Sequence, residues 1–343
     1  MGEKLQLING KVMKSGIEFR YQDVYISDGS ITQIADADQR PADVNAKTAI
    51  DCEGGYILPG FIDLDCSEGK NAQYLLLRGT TGYVSSLHLT ENFADDLMRY
   101  GELTREESVK EAQCLGVRMQ GPISLEAMGG DPEEAASIIE DLVRCSDGAL
   151  KFLDVRPGEK GAAQIIKTFR SDMSVGLLGE DASYEEARGA MALGAVRLKD
   201  SLSSLADITS EEPGAFPAVL DTPNVYVEVS ADREHVHPSI LRMLYRILPP
   251  ERIILTGALA PESRSLYDIV RIALEDGVPL PYVIRSVTES PAKLLGLEDR
   301  LGRVKEGYEA DLIILDLHTL EIRTVIRKGI VIYNSGKHTM YGG

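Results

Sequence analysis

The stretch Leu58-Pro59-Gly60-Phe61-Ile62-Asp63-Leu64-Asp65-Cys66-Ser67 divides this chain into two kinds of pattern. Pro59 and Gly60 punctuate it, and the apolar run that follows has the length of a buried strand. Upstream, residues 1–57 alternate in short runs, LQLINGKV and YQDVYISDGSITQIA, with Asp28-Gly29 suited to a two-residue hairpin turn. Downstream, short apolar runs alternate with amphipathic stretches, which is the sequence form of repeated βα units.

Those runs are FIDLDC, GYVSSL, CLGVRMQ, ALKFLDV, MSVGLLG, GAVRLK, NVYVEVS and RIILTG. Between them lie helical patterns such as DPEEAASIIEDLVRC, with Asp131 as N-cap, and YEEARGAMALG, which ends at a glycine. Eight strands, each followed by a helix, predict an α/β fold with a (β/α)8 TIM barrel over residues 58–301. β character returns from residue 302 in GRVKEGYEADLIILD, IRTVIRKG and IVIYNSG. These strands are too few to bury a core alone, so residues 1–57 and 302–343 are expected to share one small composite β-sandwich domain.

Among the 343 residues, 43% are hydrophobic and the net charge is −18. That charge repels nucleic acid and anionic membrane surfaces, so neither is expected as a partner. Cys52, Cys66, Cys114 and Cys145 are scattered, without a zinc-type spacing, and read as thiols of a reducing compartment. The first residues lack the apolar core of a signal peptide and no run has transmembrane length, so the expected location is cytoplasmic.

Chemistry in a barrel of this kind sits at the C-terminal ends of the strands. Those ends carry Asp65 and Ser67, His88, Arg118 and Gln120, Asp154 and Arg156, Glu180, Lys199 and Asp200, Glu228 and Ser230, and Gly257. Charge is plentiful there and histidine is scarce. No G-x-S-x-G elbow, P-loop or dinucleotide fingerprint is present.

With GGYILPGFID near the start and GRVKEGYEADLIILD near the end, the chain resembles the N-acetylglucosamine-6-phosphate deacetylases of the amidohydrolase superfamily. The resemblance implies a divalent metal such as zinc, a homodimer and hydrolysis of an N-acyl amino sugar. It also implies which positions matter, and here they hold other residues. The His-x-His pair of strand 1 is matched by Asp65 and Ser67, and the Glu of H-L-E-G-P by Gln120 in Arg118-Met119-Gln120-Gly121-Pro122. The His of G-H-S is matched by Glu180, the strand 6 His by Asp200, and the catalytic Asp of strand 8 by Gly257. The sugar-contacting His of K-G-A-H-D-P falls at Gly130. His235 in Asp232-Arg233-Glu234-His235-Val236-His237-Pro238 keeps the position used toward phosphate, whereas Glu211 replaces the phosphate-binding Arg.

Loss of nitrogen donors together with the proton carrier leads to the expectation of a metal-free, catalytically degenerate homologue that binds a small, amino-sugar-like ligand or a partner. No catalytic residue and no cofactor are then expected, and Asp65, Arg118, Gln120, Glu180, Asp200 and His235 are the candidate ligand-binding residues. An Arg118-centred salt-bridge network, aided by Lys199 or Arg197, is expected to neutralise the carboxylates. Two alternatives stand beside it. One is a magnesium or calcium site at Asp65, Glu180 and Asp200, and the other an active deacetylase-type hydrolase that uses those carboxylates as general acid and base.

Overall fold

Five strands open the chain, β1 (Leu5–Met13), β2 (Phe19–Ser27), β3 (Ser30–Asp36), β4 (Thr48–Asp51) and β5 (Tyr56–Pro59). The computed structural model describes residues 4–13, 17–36, 48–67, 71–88, 93–106, 108–120, 131–199, 208–257, 264–335 and 339–341. The β2–β3 turn is the expected one: Asp28 and Gly29 both have positive φ, 50° and 79°, as a type I′ hairpin requires.

The barrel follows as β6 (Phe61–Ser67), β7 (Thr80–His88), β8 (Gln113–Gln120), β9 (Leu150–Val155), β10 (Ser174–Leu178), β11 (Arg197–Lys199), β12 (Tyr226–Val229) and β13 (Ile253–Leu255). Each pairs in parallel with its sequence neighbour, giving one eight-stranded sheet in chain order. The eight apolar runs of the sequence coincide with these strands. Across the seam between β6 and the end of β13, the Gly257 N–H donates to Asp63 Oδ1 at 3.3 Å. The fold is a TIM barrel with a separate sheet domain.

Helices cover the outside. Helix Pro132–Cys145 starts where Asp131 accepts from the Glu133 N–H, and helix Tyr184–Leu193 starts with a reciprocal capping box between Ser183 and Glu186. The period-two alternation of a strand fixes what lies inside. Val117 and Met119 of β8, Leu153 and Val155 of β9, and Val227 and Val229 of β12 join the large apolar cluster under the helices. Arg118, Asp154 and Glu228 lie between these residues in the sequence and are therefore turned into the barrel. Deeper in the interior, Ile62, Leu64, Val84, Phe152, Tyr226 and Ile254 form an apolar plug with Ala292 and Leu301.

The remaining strands, β14 (Leu312–Leu315), β15 (Ile322–Arg327), β16 (Ile330–Asn334) and β17 (Thr339–Tyr341), complete a nine-stranded sheet with β1–β5. β1 pairs with β4 through Leu5–Ile8 and with β5 through Lys11 and Val12, so the sheet forks along one strand. The fork encloses a second core that includes Leu7, Val24, Ile50, Ile57, Leu312 and Ile326. Strands from both ends of the sequence thus share one core.

Candidate functional site

Inside the barrel, above the apolar plug, six charged side chains meet: Asp65 on β6, Arg118 on β8, Asp154 on β9, Arg197 and Lys199 on β11, and Glu228 on β12. Arg118 is the hub. Its guanidinium takes Glu228 in a two-pronged grip, Nη1 to Oε2 at 2.7 Å and Nη2 to Oε1 at 2.8 Å. Nη1 also donates to Asp65 Oδ2 at 3.1 Å and lies 3.8 Å from Asp154 Oδ2. Arg197 repeats the pattern one strand away, donating to Glu228 Oε1 and Asp154 Oδ1, both at 2.8 Å. Lys199 Nζ sits 2.6 Å from Asp65 Oδ2, and the Ser86 hydroxyl donates to Asp65 Oδ1.

Three cations thus face three carboxylates, and all six side chains are buried. Both guanidiniums also lie over the Phe152 ring, with Cζ at 5.1 Å and 4.8 Å from its centroid, so the plug meets the ion cluster through cation–π contacts. Room for Arg197 comes from Gly176 on β10, where a Cβ would fall 2.8 Å from Cζ of Arg197 and 2.4 Å from Asp154 Oδ1. Burial pushes the carboxyls of Asp65 and Glu228 up. The adjoining cations, Arg118 and Lys199 for Asp65 and Arg118 and Arg197 for Glu228, outweigh it and hold both below the usual carboxylate range. The carboxylates raise Arg118 in turn, against the opposing effect of its own burial.

The expected Arg118 network is therefore present, and both Arg197 and Lys199 turn inward to join it. Its membership differs from the expectation. Glu228 and Asp154 supply the carboxylates, whereas Glu180 lies in the turn after β10 with its side chain exposed and takes no part. Glu180 follows a strand whose residue at the cluster is Gly176, which has no side chain, and the cluster's further carboxylates come from β9 and β12. Arg118 lies two residues inside the end of β8 and is fully buried, which makes it part of the barrel interior and not a ligand contact at the mouth. Gln120 ends β8 but its side chain, like all of Asp200, lies outside the described residues. So does Gly130, the counterpart of the sugar-contacting His.

His88 ends β7 exposed. His235 is also exposed, and its Nδ1 lies 2.7 Å from Asp232 Oδ2. Asp232 further accepts from the N–H groups of Glu234 and His235, so the segment after β12 is wound around this carboxylate. The exposed His235 ring is aimed by Asp232 and is free to meet a ligand on its other edge. Glu211 is exposed in a turn closed by Thr209.

The donor set inside the barrel does not suit a divalent cation. Asp65, Asp154 and Glu228 are already engaged by Arg or Lys, and an ion among them would have three positive side chains as neighbours. Of the magnesium or calcium trio, Asp65 belongs to the ion cluster, Glu180 is exposed in the turn after β10, and Asp200 lies outside the described residues. Among the described residues no helix is long and apolar enough to cross a membrane.

Comparison with known proteins agrees with this architecture. The amidohydrolase family profile matches residues 256–335. The N-acetylglucosamine-6-phosphate deacetylase of Lysinibacillus sphaericus is 24% identical over 88% of this chain and 91% of its own. The N-acetylgalactosamine-6-phosphate deacetylase of Escherichia coli O157:H7 is 26% identical over 62% of this chain and 67% of its own. Among solved structures, the N-acetylglucosamine-6-phosphate deacetylase of Pasteurella multocida superposes with a TM-score of 0.78 at 19% identity, covering 95% of this chain and 98% of that one. A Mycobacterium smegmatis deacetylase in complex with N-acetyl-D-glucosamine-6-phosphate gives the same TM-score at 21% identity over 96% and 100%. The barrel with its forked sheet, the closing GRVKEGYEADLIILD and the near full-length alignments make the chain similar in fold and sequence to the N-acetylglucosamine-6-phosphate deacetylases, and its residues 256–335 match the amidohydrolase family.

Proposed function

We propose that the protein acts on an N-acyl amino sugar or a related amide at the C-terminal mouth of its barrel, as a deacetylase-type hydrolase. The observation that carries this reading is alignment with a deacetylase over 88% of this chain and 91% of the relative. The structure narrows the roles. Asp65, pinned by two cations and a hydroxyl, is too weak a base to take a proton from water near neutral pH and serves to orient and to carry charge. Proton transfer then falls to Glu180, solvated after β10, and to Asp200. Glu211 in place of the family's Arg favours a neutral sugar over a phosphorylated one, and His235 is the polar contact available at the rim. A homodimer is part of the proposal and rests on the family resemblance.

A second reading, a ligand-binding homologue without hydrolysis, is supported by one specific observation. The carboxylates inside the barrel are held by Arg and Lys, and the family's ligand and catalytic positions hold Gln120, Glu180, Asp200 and Gly257. Both readings share the ligand class and differ in turnover. The experiment is release of acetate from N-acetylglucosamine and from N-acetylglucosamine 6-phosphate, with and without added zinc, iron or manganese. Turnover that Asp200→Ala abolishes upholds the hydrolase. Binding of the sugar by calorimetry with no acetate under any condition upholds the second reading.

A further inference from the structure

Residues 230–237 leave the C-terminal end of β12 and so lie at the mouth of the barrel. They form a turn built on one carboxylate. Asp232 is only 1% exposed, yet both of its oxygens are engaged. Oδ1 accepts from the N–H groups of Glu234 at 3.0 Å and His235 at 2.9 Å. Oδ2 faces His235 Nδ1 at 2.7 Å and accepts from the Ser230 hydroxyl at 3.4 Å. Arg233, between Asp232 and Glu234, has a φ of 66°, a backbone form uncommon for a long side chain. Strain of that kind persists where the surroundings impose it, and it concentrates at working sites. Arg264, from the segment after β13, donates to Asp232 O at 3.1 Å and lies 3.3 Å from Glu234 Oε1, which fastens the turn to its neighbour.

This arrangement decides which nitrogen of His235 carries the proton. Burial pushes the Asp232 carboxyl up, but the backbone N–H and ring of His235 and the N–H of Glu234 outweigh it and hold it below the usual carboxylate range. A carboxylate only accepts, so Nδ1 donates to it and Nε2 of the neutral ring is left as a bare lone pair. The side chain is 42% exposed, and no described residue meets Nε2. Toward a ligand the neutral ring is therefore an acceptor, suited to the proton of a water or hydroxyl and not to an anion. A buried carboxylate behind such a ring fixes its tautomer and direction and stabilises the imidazolium once it forms.

We propose that His235 is a catalytic base and acid at the mouth, with Asp232 as its positioning residue. Nε2 takes a proton from water as the water oxygen bonds to the acyl carbon. The imidazolium then gives that proton to the leaving atom as its bond to the acyl carbon breaks, so the ring ends as it began and water is the only co-reactant. The strand 8 position of the family's proton carrier is Gly257, which leaves the role open, and His235 joins Glu180 and Asp200 in it. The substrate class rests on the deacetylase-type reading above; the geometry of the dyad does not.

Two measurements on the full-length protein test the dyad without the sugar. With isotope-labelled histidine in mildly alkaline buffer, the nitrogen resonances of His235 should show the proton on Nδ1. Asp232→Asn, whose amide is able to donate to Nδ1, should move it to Nε2. Hydrolysis of p-nitrophenyl acetate should be slower in deuterium oxide, and kcat should fall about 100-fold in His235→Gln and in Asp232→Asn. KM should change less than about twofold, because what is lost is a proton transfer and not a binding contact. His318→Gln, exposed in the sheet domain, should match wild type in both measurements. Acetate release from N-acetylglucosamine, run alongside, separates the two readings. Its absence beside dyad-dependent ester hydrolysis sinks the deacetylase reading and upholds the dyad; acetate release untouched by both variants does the reverse. A proton on Nε2 in wild type, equal rates in the two solvents, or an unchanged kcat on the ester in both variants would overturn the proposal.

Discussion

Two groups of buried charge occupy this molecule, and they follow opposite plans. Within the barrel, cations and carboxylates are equal in number and each carboxylate is ion-paired; at the base, where the barrel meets the nine-stranded sheet, five cations line a cavity with three carboxylates. A balanced, enclosed cluster acts as scaffold, even though Arg118 Nε and Asp154 Oδ2 make no hydrogen bond among the described residues. The presence of charge in a cavity is therefore a poor guide to binding until the pairing is counted.

The largest expected effect comes from unbalancing the closed cluster. Arg118→Met leaves Glu228 and Asp65 short of a counter-charge in a dry interior and should lower stability by about 3–5 kcal/mol, measured by urea denaturation. Adding Glu228→Gln to that variant should recover part of the loss, because the stranded charge goes with it. Were Arg118→Met as stable as wild type, the interior would have to be wet and the contrast between the two clusters would fail.

Gly176→Ala comes next, since its methyl group would meet Arg197 and Asp154 inside ordinary contact distance. A loss of about 1–3 kcal/mol is expected, the usual cost of overpacking. Calorimetric melting of the variant reads it directly.

Acid supplies a third measure. Asp65 and Glu228 are more acidic folded than unfolded, so their contribution is fully present above the unfolded value of about 4 and is lost as pH falls through the folded value. The melting temperature should be level from neutral pH down to about 5 and then fall. Asp65→Asn should melt lower than wild type at neutral pH, with the two curves converging in acid. A constant gap at all pH values would show that Asp65 is not held as the anion. The smallest effect belongs to exposed pairs such as Arg144 with Asp141, where Arg144→Ala should change stability by no more than about 0.5 kcal/mol by the same denaturation measurement.

Much of the fold was legible because it rests on periodicity. Eight apolar runs separated by helical stretches translate directly into eight strands, and Asp131 and Asp28-Gly29 state their own local geometry. The Arg118 hub was legible too, since a lone cation amid the apolar neighbours of CLGVRMQ must be neutralised if it turns inward. Its partners were harder. Asp154 in FLDV and Glu228 in YVEV are single charges inside buried strands, and parity with their apolar neighbours would have identified them. Glu180 misled because alignment to a motif places a residue in sequence but does not say which way its side chain faces. Gly176 and the cavity at the base depend on contacts between distant segments, and no local pattern announces them.

Between β5 and β6 stands one residue, Gly60, whose N–H donates to Asp311 O at 2.8 Å. The same length of backbone is thus an inner strand of one sheet and the first stave of the other, joined by a rigid splice instead of a tether. Warming that loosens the forked sheet must tug on the barrel wall at once. Calorimetry should accordingly record a single endotherm for the whole chain, with no earlier shoulder from the smaller body.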